Sequence, residues 1–290
     1  MPSPFQDRVA ARQTFWAAGA FDAFSARLIE QAAFDAVFLS GYALSAALLG
    51  MPDIGLYTMT ENVTALRNVR AAVDLPIVAD GDTGYGGILN VQRTVRELAA
   101  AGAQAFTLED QAFPKRCPLI EDAVEDLVSI DEGVSRVRAA VDVARPLGIA
   151  VIARTDARGM DEAMARSIAY VAAGADIVQP VGRAFAGIAE LRELHARCGV
   201  PLSIMIAGWY RDIPRHEIAG VAAIATYPLA ALLSAGEAMR SNLSALAQGA
   251  RLDALPAPIM DVHSLDGVCG LAGWLDQEQR YATKGPNSGE

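Results

Sequence analysis

Acidic residues stand at the ends of two apolar runs. Asp80 and Asp82 close the run Pro76-Ile77-Val78-Ala79, and Glu109 and Asp110 close Ala105-Phe106-Thr107-Leu108. Four carboxylates on neighbouring strand ends would repel strongly at low dielectric unless a cation or protonation relieved them. A hard divalent ion is the economical answer. Oxygen-only ligation suits Mg2+, with Mn2+ as a substitute, and Mg2+ keeps several waters while binding through one or two carboxylates plus substrate. This reading makes Asp80 the direct ligand and sets Asp82 and Glu109 on the metal's waters. The plainer reading has Asp82 opening a turn and Glu109-Asp110 capping a helix. Three acids, each placed just after an apolar run, favour the metal.

Other reactive side chains sit at comparable places. Arg154 follows Val151-Ile152-Ala153, where a guanidinium can hold a carboxylate through a bidentate fork; its competing use is an ion pair with Asp156 or another acid. The stretch Gln111 to Val128 is long for a strand-to-helix connection and carries Lys115-Arg116-Cys117, so a mobile lid is expected. Two adjacent cations stabilise a thiolate and make Cys117 useful as a proton donor or acceptor. The glycines of Gly84-Tyr85-Gly86-Gly87 allow close backbone approach or positive φ after the acidic pair. His195, His216 and His263 fall away from the strand ends and read as surface or packing residues, which disfavours a histidine triad or a zinc site. Cys198 and Cys269 read as structural.

These residues need a scaffold that gathers strand ends. Eight short apolar runs, near 15–18, 36–40, 76–80, 105–109, 150–154, 176–179, 201–206 and 221–226, alternate with segments of helical period, the pattern of a parallel sheet with crossover helices. One helix is expected over Asn90 to Ala101, where Val91, Val95 and Leu98 share a face. Another starts at Ser129, with Glu132 completing a capping box. Eight such units in 290 residues suit a closed (β/α)8 TIM barrel better than a doubly wound sheet, and no GxGxxG follows the first run. The barrel is expected over residues 1–250, with a C-terminal helical extension over 251–290 ending in a loose tail from Lys284. Leu265, Val268, Leu271 and Leu275 recur near helical spacing between Leu265 and Tyr281. Such a stripe needs a partner, so a homodimer or homotetramer is expected.

Composition narrows the partners. A formal net charge of -10 argues against nucleic acid, whose binders concentrate Lys and Arg, but leaves room for a small carboxylate substrate because a metal reverses the local sign. No apolar stretch is long enough to span a bilayer, and the start lacks a signal-peptide pattern; a cytoplasmic protein is expected. The three cysteines stand far apart and match no zinc spacing.

The chain resembles the isocitrate lyase and phosphoenolpyruvate mutase superfamily. The resemblance runs through Ser40-Gly41-Tyr42, Gly50-Met51-Pro52-Asp53, Asp80-Gly81-Asp82-Thr83-Gly84-Tyr85-Gly86, Leu108-Glu109-Asp110-Gln111, Pro114-Lys115-Arg116-Cys117 and Ala153-Arg154-Thr155-Asp156. It implies a (β/α)8 barrel whose last helix is exchanged between paired subunits of a tetramer. It also implies Mg2+ held through Asp80, with Asp53, Asp82 and Glu109 in its water shell, and a substrate carboxylate held by Ser40, Gly41 and Arg154. In the lyase branch the cysteine matching Cys117 exchanges a proton with the enolate carbon; mutase and phosphonopyruvate hydrolase branches generally lack it.

The site so expected has Cys117, Lys115, Arg154 and Tyr42 as catalytic groups. Ser40, Gly41, Tyr42, Asp80, Arg154, Gln179 and Trp209 surround the substrate. The expected reaction is Mg2+-dependent cleavage of a carbon-carbon bond in a 2-hydroxy or 2-oxo acid through an enolate. Phosphonate chemistry, oxaloacetate decarboxylation or hydrolysis, and a non-catalytic barrel that binds a small acid are the alternatives. Departures bear on the substrate: Pro118-Leu119 replaces the Gly-His usual after the cysteine, Gln179 stands where isocitrate and methylisocitrate lyases carry glutamate, and the strand-seven segment reads Ser203 to Trp209 instead of containing asparagine. A less acidic or more apolar distal substituent is expected.

Overall fold

The computed structural model describes residues 4–11, 13–117 and 126–282. The tail from Lys284 and the expectations attached to Pro118 and Leu119 lie outside these residues, as does the middle of the expected lid. The parallel strands β1 (Phe15–Ala20), β2 (Ala36–Leu39), β3 (Ile77–Asp80), β4 (Ala105–Glu109), β5 (Ala150–Thr155), β6 (Ile177–Pro180), β7 (Leu202–Met205) and β8 (Ala222–Tyr227) form a closed barrel in sequence order. Closure is made by β1 against β8, with Phe15 opposite Ile224 and Ala18 opposite Tyr227. The expected (β/α)8 barrel is the fold, and each of the eight apolar runs contributes a strand.

The helices are α1 (Pro4–Ala10), α2 (Ala23–Gln31), α3 (Gly41–Leu44), α4 (Met59–Ala72), α5 (Ile88–Ala100), α6 (Ile130–Leu147), α7 (Met160–Ala172), α8 (Ile188–Cys198), α9 (Arg215–Ala219), α10 (Ala230–Ala247), α11 (Val262–Cys269) and α12 (Leu271–Tyr281). Val91, Val95 and Leu98 form the buried stripe of α5, as their spacing requires. At the start of α6 only half of the expected capping box forms. The Ser129 side chain accepts from the Glu132 amide, while the Glu132 carboxylate turns to Arg136 at 2.7 Å. An ion pair one turn along outcompetes the return bond to the cap.

Strand periodicity explains where chemistry can sit. Val78, Ala105, Ile152 and Ile177 belong to one buried apolar cluster, and two residues further along the same strands come Asp80, Thr107, Arg154 and Gln179. Residues i and i+2 share a strand face. The lower barrel is therefore apolar, and its C-terminal end carries polar side chains. The amino-terminal end is covered by α1, whose Phe5 stacks on Phe15 with ring centroids 4.8 Å apart. The sequence reading missed this helix.

The chain divides into two compact units, 1–233 and 234–290, with the division inside α10; the sequence boundary at residue 250 falls just beyond that helix. In the second unit the stripe from Leu265 to Tyr281 is not one helix. Gly270, at φ +75, ends α11 and opens α12, a left-handed break that favours glycine. Val268 is buried while Leu265, Leu271 and Leu275 are exposed. Cys198 is buried but Cys269 is exposed, so only the first fits a packing role. Among the described residues no helix is long and apolar enough to cross a membrane.

Candidate active site

The C-terminal ends of the strands surround a cavity of about 510 Å3. Ser40, Tyr42, Asp53, Asp80, Cys117, Arg154, Gln179 and Trp209 all line it. The remaining expected site residues, Gly41, Asp82, Glu109 and Lys115, stand behind that wall and hold it in place. Residues separated by more than a hundred positions thus meet at one mouth, as the barrel requires of its strand ends.

Asp80 is the most heavily anchored. Its Oδ2 accepts the Gly41 amide at 3.2 Å, and its Oδ1 accepts the Asp82 amide and the Thr107 hydroxyl, both at 3.1 Å. Asn62 donates to the Asp80 carbonyl. The approach of Gly41 depends on its missing side chain, because a Cβ there would lie 2.5 Å from the Tyr57 hydroxyl and 2.8 Å from Asp80 Oδ2. The Gly41 amide is thereby directed at Asp80 and not into the cavity. Asp82 adopts φ +53 and Gly84 φ +85, a left-handed turn that aspartate tolerates and glycine favours. That turn lets the Asp82 carboxylate meet Lys115.

Lys115 is buried and bridges two acids, with Nζ 2.9 Å from Asp53 Oδ1 and 3.0 Å from Asp82 Oδ1. Burial opposes its charge, yet Glu109, Asp82, Asp53 and Asp80 together hold its ammonium well above the ordinary lysine range. Burial pushes the Glu109 carboxyl up, against the opposing pull of Arg154 and Lys115. Asp82 is raised for the same first reason, with Lys115 opposing. Arg154 sends Nε and Nη2 to Asp156 Oδ1 at 3.1 and 2.9 Å, and its Nη1 lies 3.0 Å from Glu109 Oε2. Ion pairing and a cavity position coexist here, since a guanidinium has five N–H groups and two remain.

Asp110 does not join the cluster. Its Oδ2 accepts the Tyr170 hydroxyl at 2.9 Å and pairs with Arg166, and its Oδ1 accepts the Asp156 amide. It neither caps a helix nor faces the cavity; it ties β4 to the start of the next connection and to α7. Gln111 and Asp156 lock the same region, at 3.0 Å. The base of the long connection is pinned by a bridge between Gln111 and Leu127.

The donor set fits a divalent cation. Asp53, Asp80, Asp82, Glu109 and Asp156 are buried, and Lys115 and Arg154 are the cations that pair with them, so five acids meet two paired cations. Glu109 Oε1 is buried without a hydrogen-bond partner among the described residues, and such an atom calls for a water or ion. Among those residues no three carboxylate, thiol or imidazole groups converge tightly enough to hold a metal directly. One or two carboxylates plus retained waters is the mode that Mg2+ favours.

Thr107, Asn62, Tyr57 and Ser203 escaped the sequence reading. Thr107 lies two residues before Glu109 on the same strand, a period-2 signal that could have found it. The others had no local signal.

Comparison with known proteins identifies the family. Residues 5–247 match the family model of phosphoenolpyruvate phosphomutase. The chain is 37% identical over 281 residues to 2,3-dimethylmalate lyase of Eubacterium barkeri, covering 92% of this chain and 93% of the relative. It superposes on a phosphoenolpyruvate phosphomutase from Streptomyces platensis subsp. rosaceus with a TM-score of 0.87 at 32% identity, over 95% and 97% of the two chains. A phosphonopyruvate hydrolase, solved with oxalate and Mg2+, gives 0.84 at 28% identity over 95% and 97%. The relatives are carbon-carbon lyases and mutases, and members of their superfamily use a divalent metal. With a match through the whole barrel, the chain belongs to the phosphoenolpyruvate phosphomutase family, within the isocitrate lyase and phosphoenolpyruvate mutase superfamily.

Proposed function

We propose that this enzyme is a Mg2+-dependent lyase that cleaves a carbon-carbon bond in a 2-hydroxy or 2-oxo acid, with an alkyl-substituted malate, a 2-hydroxy acid, as the favoured substrate. One observation carries the reading: Cys117 lines the same cavity as Asp80 and Arg154. A proton donor and the groups suited to an oxo acid therefore share one chamber. The lining also includes Val181, Met205, Trp209, Pro228 and Leu229, with Arg183 beside them, and these apolar side chains suit an alkyl substituent.

Asp80 would hold Mg2+, with Asp53, Asp82 and Glu109 on its waters. When bound, the ion supplies a Lewis acid that polarises the substrate's oxygens and offsets the charge that develops on them. Arg154 would hold the substrate carboxylate with its two remaining N–H groups, beside Ser40. Gly41 supports that end through Asp80, and Tyr42 presents a phenol to the 2-oxygen. Lys115 holds the Asp53 and Asp82 carboxylates in place and opposes the upward push of burial on Asp82. In the cleavage direction the 2-hydroxyl passes its proton through the Tyr42 phenol to solvent water and becomes a carbonyl as the carbon-carbon bond breaks. The electron pair passes into the departing fragment as an enediolate, and the Cys117 thiol delivers a proton to that carbon.

The assembly is proposed to be a homodimer or homotetramer. Incubation with Mg2+ and a panel of alkylmalates, oxaloacetate and phosphonopyruvate, followed by product analysis, tests the activity. The expected result is a 2-oxo acid plus a carboxylic acid from an alkylmalate. Turnover confined to phosphonopyruvate or oxaloacetate would replace this reading.

A further inference from the structure

Gln179, in the cavity wall with Arg154 and Trp209, is backed by a buried serine whose contact has a consequence for specificity. β6 and β7 are neighbours in register at Val178 and Leu202, which puts Gln179 and Ser203 side by side. Both are buried, and Ser203 Oγ lies 2.9 Å from Gln179 Oε1. On its other side Gln179 is in register with Arg154 on β5. Gln179 lines the cavity.

A serine hydroxyl has a single hydrogen to donate, and an amide has one accepting and one donating end. Ser203 makes no other side-chain hydrogen bond among the described residues. If the amide were turned over, the buried hydroxyl hydrogen would lose its acceptor, at a cost of about 1–3 kcal/mol. The pair is therefore satisfied in one sense only: Ser203 donates to Oε1, and Nε2 is left as the end that can donate to a ligand. Gln179 Nε2 is not among the buried atoms that lack a partner, in keeping with a donor that opens on the cavity.

We infer that Ser203 is a positioning residue that fixes Gln179 as a hydrogen-bond donor to a carboxylate oxygen on the departing fragment of the substrate. The inference rests on the lyase reading and deepens it. An amide donates at any pH, whereas a carboxyl in its place would have to be protonated to do so. The amide thus adds a neutral, directional contact to a carboxylate on the fragment beside the Arg183 that also lines this wall, and the neighbouring apolar side chains accept its alkyl group.

The test is steady-state kinetics on an alkylmalate that the wild type cleaves, with calorimetric binding of malate and of oxalate, each with Mg2+. Ser203→Ala should raise KM about fivefold to tenfold, the scale of one neutral hydrogen bond, with a smaller change in kcat. Ser203→Thr, which keeps the hydroxyl, should restore most of it. Gln179→Glu should raise KM much further at pH 8 and recover as pH falls toward the ordinary carboxyl range of about 4–5, where the introduced group protonates. Affinity for oxalate, which has no distal fragment, should stay within about twofold while that for malate falls. Unchanged KM in Ser203→Ala and Gln179→Glu, with alkylmalate turnover intact, overturns the inference. So does equal weakening of oxalate and malate, which would mark a merely structural pair. If the wild type cleaves no alkylmalate the lyase reading fails, and the malate-against-oxalate comparison still decides the role of the pair.

Discussion

Lys115 and Asp53 meet at 2.9 Å in a buried ion pair that joins the connection after β4 to the one after β2. The same ammonium reaches Asp82, so removing it leaves two buried carboxylates facing one another. Breaking a buried pair by deleting one partner costs about 3–5 kcal/mol. Lys115→Met should lower stability by that order in urea unfolding, and kcat should fall as the acids lose their positions. A variant as stable as the wild type would mean that Asp53 and Asp82 find other partners or protonate at no cost.

Metal dependence should be complete. EDTA is expected to abolish turnover and Mg2+ or Mn2+ to restore it. Asp80→Ala should cost more activity than Asp53→Ala, since a direct ligand is harder to replace than a group acting through water. Full activity after rigorous chelation contradicts the metal assignment, and small, equal effects of the two substitutions contradict the division of labour.

Cys117 separates lyase chemistry from its alternatives. As the carbon acid, Cys117→Ser should lower kcat by about two to four orders of magnitude with substrate binding largely kept. Near-wild-type turnover on a substrate that the wild type cleaves well would take the thiol out of the mechanism and move the preference to phosphonate or oxaloacetate chemistry.

The second unit exposes Leu271, Trp274 and Leu275 on α12. An apolar helical face of this kind is expected to be covered by another copy of the chain. Light scattering at micromolar concentration should give a dimer or tetramer; a monomer refutes it. Trp274→Glu should shift the population toward smaller species.

The sequence by itself determined the barrel and most of the expected site. Strand periodicity and helix spacing are local, so eight apolar runs and the α5 stripe could be read directly, and the polar residue that closes six of the eight runs marks a strand end wherever that strand later sits. Asp80, Asp82, Glu109 and Arg154 were legible for that reason, and Lys115 with Cys117 because two cations and a thiol adjoin in one loop. Their division between the cavity wall and the layer behind it came only with the tertiary structure. Asp110 follows Glu109 directly, yet it turns to Tyr170 and Arg166, because successive strand residues point to opposite faces and the outer one meets α7. Gly270 broke an otherwise regular apolar stripe, since a backbone reversal is cheap at glycine whatever the periodicity around it. The direction of the Gln179 amide depended on Ser203, a residue 24 positions away. Hydrogen-bond polarity of that kind is decided by which side chains closure of the barrel brings side by side, and no local pattern encodes it.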